Sequence, residues 1–331
     1  MRPEIEDESC NDGIVSFTLN DSVRGRFARI DKSLSTILSQ QNYPCKVNNL
    51  IAEAILLTVM IGQAIKLRWK LSIQIRGSDA IKLIAVDYFS PDDASGFAKV
   101  RAYAKFDSQS LEDSTNSGFD SLGKGLFAVL IDQGEGTEPY QGITPLTGAS
   151  LAKSAETYFE QSEQLPTTFK IVVGQSQTPE GGLSFRGGGI MLQRLPGVND
   201  SGPSNKPLPL ELSIDETNTN RSFYENELEN WLRVNILLNT VEELELVGPQ
   251  LTANEVLKRL FHQEALISFE RQKLKFGCSC SIEKVSNTLS IYSSKDINSM
   301  INAEGNVTAD CQFCGEHYVL CPNELGFESL N

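Results

Sequence analysis

Four of the chain's seven cysteines stand in two tight pairs, in "FGCSCSIE" (Phe276 to Glu283) and "CQFCGEHY" (Cys311 to Tyr318). Thirty residues separate Cys280 from Cys311, and between the pairs lies a weakly apolar stretch carrying Ile282, Leu289, Ile291, Ile297, Met300 and Ile301. So few apolar side chains cannot hold a unit of this size securely by burial alone. Something else must staple it. Four thiolates suit a tetrahedral Zn²⁺ site, and one ion pinning two short loops supplies folding energy that a thin core lacks.

Composition limits the alternatives. The chain has 331 residues, enough for two or three units. Its 40% apolar and 22% charged content is an ordinary globular balance that can fill a sizeable core. With 29 Lys plus Arg against 43 Asp plus Glu, the formal net charge is −14. Such a chain repels phosphate backbones, which argues against nucleic-acid binding. The cysteine-rich end repeats the balance, with five Lys or Arg against eight Asp or Glu from Phe269 to Asn331. It lacks the basic loops with which many zinc ribbons hold nucleic acid. The N-terminal "MRPEIEDESCNDG" is acidic and has no apolar signal-type run. The apolar stretch from Leu50 to Ile65 contains Glu53 and Gln63 and reads as a buried amphipathic helix rather than a membrane span. The expected location is the cytoplasm. In that reducing compartment, paired cysteines bind metal or do redox chemistry more often than they form structural disulfides.

Periodicity organises the rest. Gly13 to Leu19 alternates like a strand, and Ser33 to Leu38 begins a short helical or coil connection reaching Pro44. From Val47 to Leu67, Leu50, Ala54, Leu57, Ile61 and Ile65 recur at helical spacing. "LSIQIRG" and "IKLIAVDYF" alternate around the hairpin signal Gly77-Ser78-Asp79, and Phe97 to Phe106 and Gly125 to Gly134 read as further strands. Ala149 to Gln164 reads as a helix closed by Leu165-Pro166, followed by "TFKIVVGQ" and "GGIMLQRLPG" as strands. The glycines of "FRGGGI" suggest a phosphate loop, but no Gly-Lys-Ser/Thr ending or helix follows, so a bulge or tight strand entry is expected. Gly197 to Asn220 has linker composition. A helical period returns over Phe223 to Leu246, through Leu228, Trp231, Val234, Leu238 and Val241, and Thr252 or Asn254 can cap a second helix from Glu255 to Gln263.

Spacing alone leaves a permanent zinc staple, a redox-sensing site and an iron–sulfur cluster open for the four cysteines. The Cys-x-Cys half can close into a strained, reducible disulfide. A thioredoxin-like enzyme is disfavoured, because this Cys-x-x-Cys does not open a helix after a strand. His317 can replace a thiol but, beside four cysteines, is expected to pack or face water. His262 is expected to pack on its helix. Cys10, Cys45 and Cys321 are expected to be ordinary thiols.

Six stretches stand in order along the chain: "VRGRFARID" (Val23 to Asp31), "YFEQSEQLPT" (Tyr158 to Thr167), "GGIMLQRLPG" (Gly188 to Gly197), "ANEVLKRLFHQE" (Ala253 to Glu264), "FGCSCS" (Phe276 to Ser281) and "CQFCGEHY". With them the chain resembles the 33 kDa chaperonin family, the redox-switched holdases of bacteria. The stretches Asp107 to Gly123 and Val198 to Asn220 depart from the family pattern. The resemblance implies an α+β fold: an N-terminal mixed α/β core rich in antiparallel sheet (residues 1–196), a helical linker (197–266) and a small C-terminal zinc-binding unit (267–331). It implies zinc ligation by Cys278, Cys280, Cys311 and Cys314. It also implies disulfides Cys278–Cys280 and Cys311–Cys314 on oxidation, unfolding clients as partners, a homodimeric active form, and no catalysis. We expect the linker helix to lean on the cysteine unit and loosen with it, freeing Trp231, Leu237 and Leu238 for clients. A constitutive zinc-stapled interaction protein and a thiol-disulfide oxidoreductase are the alternatives.

Overall fold

The apolar run from Cys45 to Ala64 forms a helix apolar on nearly all sides, and such a helix is stable only when surrounded. It is long and apolar enough to cross a bilayer, yet most of it is buried inside the protein. The sheet wraps it. This computed structural model describes residues 12–91, 96–112, 118–177, 183–195 and 228–326. The N-terminal Cys10, the stretch 113–117 and the expected linker at 197–220 lie outside the described residues.

In chain order the elements are β1 (Gly13–Leu19), β2 (Val23–Ile30), α1 (Lys32–Ser39), α2 (Cys45–Ala64), β3 (Lys70–Gly77), β4 (Ile81–Phe89) and β5 (Ala98–Phe106). Then come α3 (Ser108–Glu112), β6 (Gly125–Asp132), β7 (Tyr140–Pro145), α4 (Leu151–Tyr158), β8 (Thr167–Gln177) and β9 (Leu183–Arg194). Three helices follow, α5 (228–239), α6 (Glu243–Val247) and α7 (Ala253–Leu260). The chain continues through β10 (Leu266–Ser268), β11 (Gln272–Phe276), α8 (Ile282–Leu289), α9 (Ser294–Ser299), β12 (Val307–Asp310) and β13 (His317–Leu320). The fold is α+β, as expected.

Eleven strands form one sheet in the order β7-β6-β3-β4-β5-β11-β1-β2-β9-β8, with β10 also on β1. Two antiparallel halves meet at β11. That strand pairs parallel with β5 over Leu274–Phe276 and antiparallel with β1 over Gln272 and Lys273. The main core lies between the inner faces and α1, α2 and α4. A second cluster covers the opposite face of β1, β2 and β9. There Val15, Phe17, Phe27, Ile190 and Leu192 meet Val234, Leu238, Leu246, Val256 and Leu260 of the linker helices.

Three expectations change. Leu266–Ser268 and Gln272–Phe276, read from the sequence with the cysteine-rich unit, pair with β1 and β5 of the large sheet. The helical period over Phe223 to Leu246 is two helices, because Glu242 caps a new one with a capping box to Glu245; the residues before 228 lie outside the described part. The glycines of "FRGGGI" make neither a phosphate loop nor a bulge. They continue an unbroken register with β2 and β8. Their use is close approach. A Cβ on Gly187 would sit 2.8 Å from Leu56 Cδ1, and one on Gly188 would sit 2.2 Å from the Leu246 carbonyl oxygen. Strands β2 and β7 and the sheet role of 266–276 were not evident from local pattern.

Candidate metal centre

The four cysteines lie on two loops that leave short strands. Cys278 follows β11 with only Gly277 between. Cys280 precedes Ser281, whose hydroxyl accepts the Lys284 amide and starts α8. Cys311 directly follows β12, and Cys314 sits in the turn to β13. That turn closes with Gly315 N donating to Cys311 O at 2.8 Å and Cys311 N donating to Glu316 O at 2.9 Å. Gly315 has φ +72°, a conformation that glycine adopts without strain. The β12–β13 hairpin is thus shaped to present two thiols on one side.

All four sulfur atoms lie within 4.8 Å of one another. Cys278 Sγ is 3.7 Å from Cys311 Sγ, and Cys280 Sγ is 3.4 Å from Cys314 Sγ. Zn–S bonds of ~2.3 Å in a tetrahedron require sulfurs about 3.8 Å apart, so this soft donor set fits such an ion. Burial pushes the Cys278 thiol up, but the Cys280 backbone N–H, the Arg101 guanidinium and the neighbouring thiols bring it down to about 7. Burial raises Cys280, opposed by a hydrogen bond from Tyr318. Burial and the other three thiols raise Cys314, although the Glu316 backbone N–H favours its thiolate. Four thiols so close compete to ionise; a dication among them removes that competition. Around the centre, among the described residues, the unit buries Ile297, Val307, Leu320 and Leu325, with Val285, Leu289, Ile301, Ala309 and Tyr318 partly buried against them.

Among the described residues the other thiols stay apart. Cys45 and Cys321 are exposed and outside the cluster. His317 is exposed and bonds Asp310 Oδ1 at 2.6 Å through Nδ1. His262, expected to pack, is instead exposed, with Nδ1 3.2 Å from Arg259 O. The register of α7 places Val256, Leu257 and Leu260 inward and leaves His262 past the helix end.

The linker helix, expected to lean on the cysteine unit, packs in its described part on the sheet. Leu238 is 1% exposed, and Trp231 and Leu237 pack partly buried against the sheet-side cluster. Arg233 fastens α5 through Glu264, at 2.7 and 2.9 Å. The contacts holding the cysteine unit come instead from the core. Arg101 of β5 lies over the Phe313 ring with its guanidinium carbon 3.9 Å from the centroid, Tyr103 meets the same ring edge-on at 4.8 Å, and Gln41 Nε2 donates to Gln312 O at 2.8 Å. Sequence reasoning missed this surface. Its one signal was the row of cations Lys99, Arg101 and Lys105 along an otherwise apolar strand.

The sequence model of the family described as Hsp33 protein matches residues 12–320. The chain belongs to the Hsp33 family. Among curated Hsp33-type relatives it is similar to the 33 kDa chaperonin of Caulobacter vibrioides, 30% identical over 319 residues that span 94% of this chain and 95% of that protein. It is also similar to the 33 kDa chaperonin of Serratia proteamaculans, 30% identical over 300 residues, 91% of this chain and 88% of that one. Its fold is like that of the crystal structure of the 33 kDa chaperonin from Thermotoga maritima, with a TM-score of 0.69 at 20% identity, covering 96% and 97% of the two chains. Hsp33 is a chaperone family, so a chaperone role is assigned to this chain.

Proposed function

We propose that this chaperone is a cytoplasmic, ATP-independent holdase switched by oxidation of Cys278, Cys280, Cys311 and Cys314. One observation carries the reading: four thiol sulfurs lie within 4.8 Å of one another in a unit whose described apolar core is small. In the reduced state these residues would hold Zn²⁺, which supplies on the order of 10 kcal/mol to folding of the unit.

Oxidation by a peroxide runs in two balanced steps for each pair. A thiolate attacks the O–O bond, giving a sulfenic acid and hydroxide. The partner thiolate then displaces hydroxide from that sulfur and forms the disulfide. Four thiolates and two peroxides thus end as two disulfides. The pairing proposed, Cys278–Cys280 and Cys311–Cys314, follows the family resemblance. In the folded state the short sulfur contacts run between the pairs instead. A disulfide between the pairs would keep the two loops tied, whereas disulfides within them leave the loops free to part. Only the second outcome suits a switch.

With no thiolates left to ligate, the unit depends on four buried apolar residues and unfolds. Unfolding clients are the partners, and Trp231, Leu237 and Leu238 are candidate contacts for them. All three face the sheet, so they become available only when α5 leaves it. The active form is proposed to be a homodimer, with no nucleic-acid or membrane partner and no catalytic turnover.

The test is zinc release on peroxide addition at a mildly unfolding temperature, with client aggregation followed in parallel. Metal leaving as thiols vanish, together with suppressed aggregation, supports the reading. Metal retained, or lost without any gain of holding, refutes it.

A further inference from the structure

We infer that Arg101 is the positioning residue through which the core sheet holds the cysteine unit down in its reduced form, and from which that unit lets go on oxidation. This rests on the redox reading of the four cysteines and names its coupling to the rest of the molecule.

Arg101 is aimed before the cysteine unit reaches it. Asp87 faces it directly across the β4–β5 ladder, and Asp87 Oδ2 accepts from Arg101 Nε at 2.8 Å and Nη2 at 2.7 Å. Asp87 in turn accepts from the Ser72 hydroxyl on β3. Three neighbouring strands therefore fix the guanidinium plane, and its side chain is only 14% exposed. One edge remains for the other side. Nη1 is 3.4 Å from Cys278 Sγ and 3.5 Å from Ser279 Oγ, while the plane stacks on Phe313, between Cys311 and Cys314. A single side chain thus touches both cysteine loops.

Both contacts depend on the state of the sulfurs. A thiolate accepts a charge-assisted hydrogen bond from a guanidinium, and four thiolates around one dication keep a net negative charge beside Arg101. A disulfide sulfur carries no charge. The cation–π contact requires Phe313 to be presented by the backbone-closed turn that carries Cys311 and Cys314, and unfolding of the cysteine unit on oxidation would undo that turn. Oxidation removes the charge at one contact and the shape at the other. Release then opens the surface of β5 around Arg101 and Tyr103.

The experiment compares zinc-loaded, reduced full-length chains by amide hydrogen exchange, with zinc content measured on the same samples. Arg101→Gln removes the charge and the stack. The expected result, in the chains that carry zinc, is exchange about tenfold faster over 311–318, with peroxide-triggered holding reached at a lower temperature. Phe313→Leu, which leaves Arg101 and all four cysteines in place, is expected to accelerate the same amides. It decides the matter should Arg101→Gln bind zinc poorly. Unchanged exchange in zinc-loaded Arg101→Gln, or in Phe313→Leu in that second case, overturns the proposal. Since exchange is read before any oxidant is added, this outcome is separate from failure of the redox reading, in which the unsubstituted chain loses metal without gaining holding activity.

Discussion

Gly188 of β9 runs directly beneath Leu246 of α6, so close that a methyl group on its Cα would fall 2.2 Å from the Leu246 carbonyl oxygen and 2.4 Å from its carbonyl carbon. The obstacle is backbone, which cannot turn aside as a flexible side chain would. Gly188→Ala must therefore push α6 away from the sheet. The expected cost is about 1–3 kcal/mol in urea unfolding, with faster exchange in 228–247 than elsewhere. Unaltered stability would mean that α6 already moves freely on the sheet.

Within α5 the consequences of substitution divide by face. Leu238→Ala empties a site that is 1% exposed and is expected to cost about 2–5 kcal/mol. Ile236 is 66% exposed, so Ile236→Ser is expected to stay within about 0.5 kcal/mol. Chemical denaturation of the reduced chains separates the two. Equal costs would show that the helix is turned differently in solution.

Acid should loosen the same helix. The Arg233 guanidinium, helped by Asn20, holds the Glu264 carboxyl below its ordinary 4.5 against the opposing effect of burial. The folded value lies below the unfolded one. The pair's stabilisation is thus complete above about pH 4.5 and is lost as pH falls through the folded value. Stability against pH should drop on acidification in this range, and Glu264→Gln should flatten that part of the curve. An unchanged slope in the variant would assign the acid sensitivity to other carboxylates.

Metal removal is expected to unfold one part of the chain only. A strong thiol-competing chelator under reducing conditions should abolish exchange protection over 278–326, whose own buried apolar set is Ile297, Val307, Leu320 and Leu325, while β3, β4 and β6 keep theirs. Cys314→Ser, with one ligand lost, should hold well under one zinc per chain and give the same pattern. Cooperative loss of the whole sheet would show instead that the cysteine unit and core fold as one.

Legibility in the sequence followed locality. Helix α2 announces itself by period, and the β3–β4 hairpin by alternation around Gly77-Ser78-Asp79. The cysteine cluster is readable because each pair is local and the chemistry of four thiols is narrow. Strand β2 hides because Arg24 and Arg26 look like solvent-facing residues. In the fold they turn inward to Gln193 and to the α2 carbonyl of Gln63. "QKLKF" looks like surface, and only pairing with distant β1 and β5 makes it sheet. The Arg101–Phe313 stack joins residues whose own neighbourhoods give no hint of each other. Long-range register is not written in any short window of residues.

The placement of β11 also sets an order of assembly. Strands β1 and β5 are made early, but the strand that lies between them emerges only after the linker helices have been synthesised. During translation both halves of the sheet can close their hairpins while the edges facing each other stay unpaired, and open edges of this kind invite pairing with other chains. A protein of a chaperone family thus passes through a stage in which it presents the kind of surface that makes other nascent proteins aggregate. Closure of its own seam waits for the last strand before the cysteines.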